Sequence, residues 1–309
     1  MTLTWRNLPM IVDGRVRAAA VLSLVTQILI VATGGAVRLT GSGLGCPTWP
    51  RCTADSFVAT PEMGIHGVIE FGNRLLSFVL VLVALAMFVL VLRMRRSRPD
   101  LFSLSLAIGL GIPAQAVIGG ISVLTQLNPW VVGLHFVLST VLIVLCTVLV
   151  YRVFAGPRGQ GSTVPRWFVA LALANSVLVA ITILVGIVTT GSGPHAGDAN
   201  APRNGLDSGW LQHAHSIPAY ATLATTVLLV VAAVVLRHAR LRRFTILLLA
   251  VELVQVVVGI TQSRLGLPEI LVGIHLVLAT CLAAAMAAVL LSLRAPAART
   301  ATAGQFQWQ

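Results

Sequence analysis

The stretch GIHGVIEFGNRLL, residues 64–76, brings an imidazole, a carboxylate, an amide and a guanidinium within nine residues of one another. His66, Glu70 and Asn73 follow at four- and seven-residue intervals, so on an α-helix they share one stripe. Such a set can ligate a metal, move a proton or stabilise a charge. Glu70 and Arg74 are four apart, the spacing of an intrahelical ion pair that neutralises both. The other reading gives Arg74 to a propionate or another anion of a bound molecule and leaves Glu70 facing a reacting centre as a base or charge stabiliser.

Seven histidines occur in the chain. His238 lies in an arginine cluster and His195 in the polar stretch GPHAGDANAPRNGLDSGW, where solvated side chains are expected, with a redox or metal role as the lesser reading of His195. The other five fall within or at the ends of apolar segments, where ionisable groups are expensive and turn towards a bundle interior or cavity. His135 in GLHFVLST and His275 in GIHLVLAT occupy the same context twice. His213 and His215 are two apart, about 200° around a helix, so only one can face a shared site. Two imidazoles facing across a helical bundle are a common way to hold a haem iron. Zinc or copper would need further ligands, and no Cys or carboxylate beside His215 and His275 completes such a set.

The elements that carry these residues are membrane spans. The chain of 309 residues is 57% hydrophobic and 10% charged. Eight runs reach the roughly 20 apolar residues that cross a bilayer, at about 18–38, 66–92, 102–125, 130–154, 167–189, 211–236, 243–262 and 270–293. The polar start leads into a full-length span, so no cleavable signal peptide is expected. A net charge of +12 could suggest nucleic acid, but its distribution argues against that partner. With the N-terminus inside, the clusters Arg6/Arg15/Arg17, Arg93/Arg95/Arg96/Arg98, Arg152/Arg158/Arg166, Arg237/Arg240/Arg242/Arg243 and Arg294/Arg299 all fall on the cytoplasmic side. Arg38, Arg51, Arg74, Arg203 and Arg264 fall on the outer side. That asymmetry predicts cytoplasmic termini in a multi-pass protein of a bacterial plasma membrane, with arginines at the lipid headgroups.

The chain reads as a duplication. An offset of 140 residues aligns GLHFVLST with GIHLVLAT and QAVIG (115–119) with QVVVG (255–259); TGSG recurs at 40–43 and 190–193. WLQHAHS (210–216) falls opposite VIEFGNR (68–74), pairing Gln212 with Glu70, His215 with Asn73 and Ser216 with Arg74. The expected fold is an all-α membrane protein: two tandem four-helix bundles, residues 1–155 and 156–309, related by a pseudo-two-fold along the membrane normal. The halves are not chemically equivalent. His215 and His275 make a matched pair in the second. The first has His135, with Asn73 where the second imidazole would be, and the carboxylate of Glu70. His66 lies about two turns, or 10 Å, further out on nearly the same face as Asn73. One cofactor for electrons and one site for chemistry is the division of labour this suggests.

Cys46 and Cys52 in TGSGLGCPTWPRC fall in the first outer loop, where the compartment is oxidising and a disulfide is expected, either structural or redox-active in turnover. Cys146 and Cys281 fall inside spans and read as core packing.

TGSGLGCPTWPRC, IEFGNR and the later GLH, HAHS and GIH positions together resemble the haem A synthase family across all eight spans. The resemblance implies conversion of haem O to haem A by oxidation of a porphyrin methyl to a formyl group in successive hydroxylations. It implies that His215 and His275 hold a haem b cofactor, that His135 belongs to the haem O site, and that Glu70 is the catalytic carboxylate. It further implies a haem O-producing farnesyltransferase as partner and an electron donor of unassigned identity. A homo-oligomer is compatible with it. The family pattern has His where this chain has Asn73. Either His66 substitutes, His135 holds the substrate iron alone, or the geometry differs. A non-enzymatic di-haem electron carrier is the competing reading and predicts matched bis-His sites in both halves. A transporter or haem chaperone would place its polar groups at the midplane.

Overall fold

The computed structural model describes residues 7–296; Arg6, Arg299 and the Arg158 side chain lie outside what is described. Among the described residues, eight helices are long and apolar enough to cross a membrane: α1 Gly14–Leu39, α2 Gly64–Val91, α3 Pro99–Leu124, α4 Pro129–Ala155, α5 Arg166–Ser192, α6 Ser208–Val235, α7 Ala239–Arg264 and α8 Glu269–Ser292. At 24–28 residues each, they run about 36–42 Å, enough for a hydrocarbon core of about 30 Å. Phe78, Leu82, Val235 and Val257 are more than half exposed on their outer faces. Apolar surface of that extent matches lipid rather than water.

Local chemistry sets where the helices begin. Asp13 accepts from the Val16 N–H, Asn128 from Trp130 and Asp207 from Trp210, each satisfying a donor the first turn leaves open. His238, expected as a solvated side chain, instead caps α7, with its ring accepting from the Leu241 N–H. The helix bounds run up to four residues beyond the expected ones, because these caps lie outside the apolar runs. Among the described residues, a two-stranded pairing departs from the all-helical pattern. Arg158–Ser162 (β1) pairs antiparallel with Arg294–Pro296 (β2) at the arginine-rich end.

Each half closes on itself. α1 packs on α2, α2 on α3, α3 on α4 and α4 back on α1; α5 to α8 close in the same way. The halves meet where α4 and α1 pack on α8 and where α4 packs on α5. Glycines allow that approach. A Cβ at Gly273 of α8 would lie 3.1 Å from Leu39 of α1, and one at Gly133 of α4 would lie 2.8 Å from Ile187 of α5. Gly133 and Gly273 are 140 apart, and their partners belong to the matching first helices of the two halves.

The repeat extends to the backbone of the turns. Leu127 and Leu267, 140 apart, both adopt positive φ, 59° and 64°. Their N–H groups donate to Ser122 O at 2.7 Å and Gln262 O at 2.8 Å. Both turns lie at the end of the bundles that carries the Cys46–Cys52 loop, called here the disulfide end. The apolar core gathers towards the opposite end, around Val16, Met87, Leu101 and Leu149 in the first half and Phe168, Leu229 and Leu241 in the second. Chemistry-bearing side chains are thereby left to the disulfide end and the helix middles.

Candidate functional site

His215 lies seven residues into α6 and His275 six into α8, so both sit about two turns below the disulfide end. Across the α5–α8 interior their ring centroids are 6.2 Å apart, with planes at 75°. Two metal–nitrogen bonds of about 2.0–2.1 Å plus the distance from each nitrogen to its ring centre account for a separation of that size. The Nδ1 atoms of both rings are buried; the Thr182 backbone lies against the His215 ring, and His275 Nδ1 has no hydrogen-bond partner, which costs about 1–3 kcal/mol unless a ligand or water answers it.

Neighbouring glycines let the rings enter. A Cβ at Gly186 of α5 would lie 2.8 Å from the His215 ring, and one at Gly259 of α7 would lie 3.1 Å from the His275 ring. Gln255 of α7 donates its Nε2 to the His275 carbonyl at 3.1 Å, locking α7 to α8 at the level of the ring. The glycine cradle and the 6.2 Å separation of the paired imidazoles fit a metal group held between two histidines.

The first half repeats one side of this cradle, on α3 and α4, and changes the other. Gly119 of α3 faces the His135 ring, where a Cβ would lie at 3.3 Å, and Gln115 donates to the His135 carbonyl at 3.1 Å. His135 Nδ1 is again buried and without a partner. On α2, however, the residue facing the α1 glycine is Asn73, whose Nδ2 would lie 4.0 Å from a Cβ at Gly34. Thr33 of α1 donates to Asn73 Oδ1 at 2.7 Å. Asn73 thus faces α1 as His215 faces α5, and its carbonyl oxygen is already engaged.

Glu70 is 5% exposed and held from two sides. Its Oε2 accepts from the Cys46 N–H at 2.6 Å and its Oε1 from Arg74 Nε at 3.2 Å and Nη2 at 2.5 Å. Arg74 also donates to the carbonyls of Cys46, Thr48 and Arg51. The ion pair exists, and it does more than neutralise two charges: it ties the Cys46–Cys52 loop to α2. Every guanidinium N–H of Arg74 has a partner within the chain, so a propionate contact would displace one of them. The disulfide itself is formed, with its Cα atoms 4.3 Å apart, and Trp49 inside the loop is seated on Gly120 of α3.

His66 is exposed near the start of α2, and its Nδ1 hydrogen-bonds Ser42 Oγ at 2.9 Å. Gly45 presses on the backbone of the same turn, within 2.8 Å of Gly67 N for a built Cβ and closer still to the His66 carbonyl. Gly45→Ala must therefore push the loop off α2 and draw the Cys46 N–H from Glu70. We expect it to destabilise the protein by about 1–3 kcal/mol, read as a lower melting temperature than wild type, with activity falling alongside.

One further histidine differs from expectation. His195 is pinned rather than solvated: its Nε2 bonds the Leu267 carbonyl at 2.8 Å, and its own carbonyl accepts from Arg38 at 2.7 Å. With the Gly43 N–H donating to Gly197 O at 2.7 Å, these contacts bind the outer loops of the two halves together. His213 is exposed and bonds back to the Gly209 carbonyl at 2.8 Å, away from His215. Sequence reasoning used QAVIG and QVVVG as marks of duplication but gave Gln115, Gln255 and their glycines no task. Their common offset from His135 and His275 was the available signal. It also placed no carboxylate in the second bundle, yet Glu252 is buried there.

Residues 17–287 match the family model described as "Cytochrome oxidase assembly protein", COX15-CtaA. Among curated relatives, a protein named "Heme A synthase" from Bacillus pumilus is 31% identical over 182 residues, 57% of this chain and 58% of the relative. Another of that name from Geobacillus thermodenitrificans is 29% identical over 123 residues, 40% of this chain and 38% of the relative. A third, from Staphylococcus epidermidis, is 24% identical over 215 residues, 65% of this chain and 70% of the relative. The chain thus spans under two thirds of the length of the first two relatives in matched sequence. With the family model covering all but the ends, the eight-helix chain belongs to the COX15-CtaA cytochrome oxidase assembly family, the family of the haem A synthases.

Proposed function

We propose that this protein is a haem A synthase: it oxidises one methyl of haem O to a formyl group by successive hydroxylations in its N-terminal half, residues 1–155. The C-terminal half, residues 156–309, holds haem b between His215 and His275. The observation that carries the reading is the asymmetry of two otherwise matched cradles. One presents two imidazoles 6.2 Å apart; the other presents His135, Asn73 and the clamped carboxylate Glu70. Two equivalent electron-transfer haems would call for a second imidazole where Thr33 holds Asn73, and that counts against the di-haem carrier.

When bound, haem b supplies one-electron transfer. The chain's own residues supply the rest. Gly186 and Gly259 give the imidazoles room, and Gln255 fixes α7 against α8. His135 is the ligand offered to the substrate iron. Glu70, held as an acceptor by the Cys46 N–H and Arg74, takes a proton from the oxidised carbon or stabilises positive charge near it. Arg74 positions Glu70 and the loop. The arginine distribution supports a topology with the disulfide end outside a bacterial plasma membrane and both termini inside. Haem O would come from a membrane farnesyltransferase, and electrons from a membrane donor.

Co-expression with a haem O source, followed by chromatography of extracted haems, tests the reading. Haem A in the extract supports it; haem b alone, with a low-spin spectrum, would leave an electron carrier. His66 has a narrower test. If it is the second ligand in the N-terminal half, His66→Ala should lower haem O retention and haem A yield at least about tenfold. Unchanged retention would leave His135 as the sole protein ligand, with His66 serving to hold Ser42.

A further inference from the structure

Below the His215–His275 pair, away from the disulfide end, the interior of the α5–α8 bundle stays polar for two more layers. The hydroxyls of Thr182 and Thr222 meet at 3.2 Å. Gln255 bonds the His275 carbonyl through Nε2, while its Oε1 is buried without a partner. One layer lower, Asn175 donates to Thr226 Oγ1 at 2.9 Å and accepts from Thr225 at 2.7 Å. Beside Glu252 of α7, 4% exposed, the Thr226 hydroxyl is the one nearby donor, and neither carboxyl oxygen has a partner in full hydrogen-bond geometry or a cation against it. Glu252 is three residues below Gln255 and seven below Gly259, so it shares their face of α7 about 10 Å beneath the imidazole layer.

The first half has nothing like it. At the 140-residue offset Glu252 corresponds to Ile112, packed in an apolar core with Leu80, Ala84 and Cys146. The carboxyl belongs only to the half with the paired imidazoles. An unpartnered carboxylate in a membrane bundle is expensive. It persists as an anion only opposite a positive charge and otherwise takes a proton. A proton would also answer part of what this layer lacks, because Glu252 Oε1, Glu252 Oε2 and Gln255 Oε1 are three buried acceptors with only the Thr226 hydroxyl as a donor beside them.

We propose that Glu252 is a redox-linked proton site, its proton occupancy rising when one electron enters the His215–His275 centre and falling when that electron leaves. This rests on the haem reading of the pair. The electron comes from a one-electron reductant, physiologically a membrane donor, and the proton from solvent; no bond other than carboxyl O–H forms or breaks. With the centre oxidised, its extra positive charge favours the carboxylate. Reduction removes that charge and leaves the carboxylate as an uncompensated anion, so its proton affinity rises. Two unit charges about 10 Å apart at an effective dielectric of about 20 change each other's binding by roughly 15-fold.

The groups facing Glu252 leave few competitors. α5 presents Asn175 and Thr182; α6 presents Thr222 and Thr226 with His215 above; α8 presents Met286 with His275 above. Cys281 is the other titratable side chain in the α8 interior, Tyr220 of α6 is turned outward, and the arginines and Glu269 lie at helix ends.

The test is a spectroscopic redox titration of the purified haem-loaded protein across pH. It compares wild type with Glu252→Gln, which keeps the shape without the proton. In wild type, the reduced-to-oxidised ratio at a fixed potential should fall by roughly 15-fold from the acid to the alkaline limb. Glu252→Gln should be flat, and proton uptake on electrochemical reduction, followed with an indicator dye, should vanish. A pH-independent wild-type midpoint, or an unchanged dependence in Glu252→Gln, overturns the proposal while leaving the haem reading intact. Wild-type protein with no low-spin haem overturns both. If Glu252→Gln does not fold, the carboxyl stretch in the reduced-minus-oxidised infrared spectrum decides. It should appear in wild type and shift in Glu252→Asp; its absence from wild type overturns the proposal.

Discussion

Glu70→Gln is expected to lower haem A formation by about 10²–10⁴-fold while leaving the low-spin spectrum of the C-terminal half in place. Glutamine matches the shape of glutamate and can still accept from the Cys46 N–H, which Glu70 receives at 2.6 Å. It carries no charge to meet Arg74 and cannot take up a proton. Losing a charge-assisted bond of this kind costs about 1.5–3 kcal/mol, but Arg74 keeps its bonds to the carbonyls of Cys46, Thr48 and Arg51. The loop should therefore stay docked and the protein should fold. Chromatography of extracted haems reads the chemistry, and a melting curve reads the fold. Normal haem A with a lowered melting temperature would make Glu70 a structural partner of the loop and nothing more.

His275→Ala should have the opposite signature. Removing one of two facing imidazoles takes away an axial ligand and opens the cradle at Gly259. Haem b affinity is expected to fall at least about 100-fold, at or beyond the upper end of what changes around a metal ligand cost. The low-spin absorbance should disappear from the purified protein. His135→Ala should retain that absorbance and lose haem O instead, because α3 and α4 form a separate cradle around His135. Measuring haem content and spectrum in both variants assigns each half its ligand. Loss of the same low-spin signal in both would mean that one haem is shared between the halves.

Most of the architecture was legible in the sequence, for a physical reason. A bilayer forces every backbone polar group to be satisfied within its own segment, so apolar runs of this length become helices whatever surrounds them. The 140-residue offset then relates GLHFVLST to GIHLVLAT, and puts His135 and His275 in matching contexts without any knowledge of packing. The Cys46–Cys52 pairing follows from having two cysteines in one short loop. Helix ends were less legible, because Asp13, Asn128, Asp207 and His238 cap the helices from outside the apolar runs that mark them.

What the sequence determined by itself was the set of spans, the repeat and the inequality of the halves: His215 against Asn73, and a carboxylate beside the latter. Only the tertiary structure decided which side chains meet. The 6.2 Å separation of His215 and His275 depends on how closely α5 and α7 approach at Gly186 and Gly259. Arg74 is consumed by the loop carbonyls because the disulfide loop folds back over α2. Glu252, one acidic residue in an apolar run, acquires meaning only because α7 turns it into the bundle among Asn175 and Thr226 rather than towards the helix end. Periodicity places a residue on a face, but the identity of what that face meets is a property of packing between helices distant in sequence.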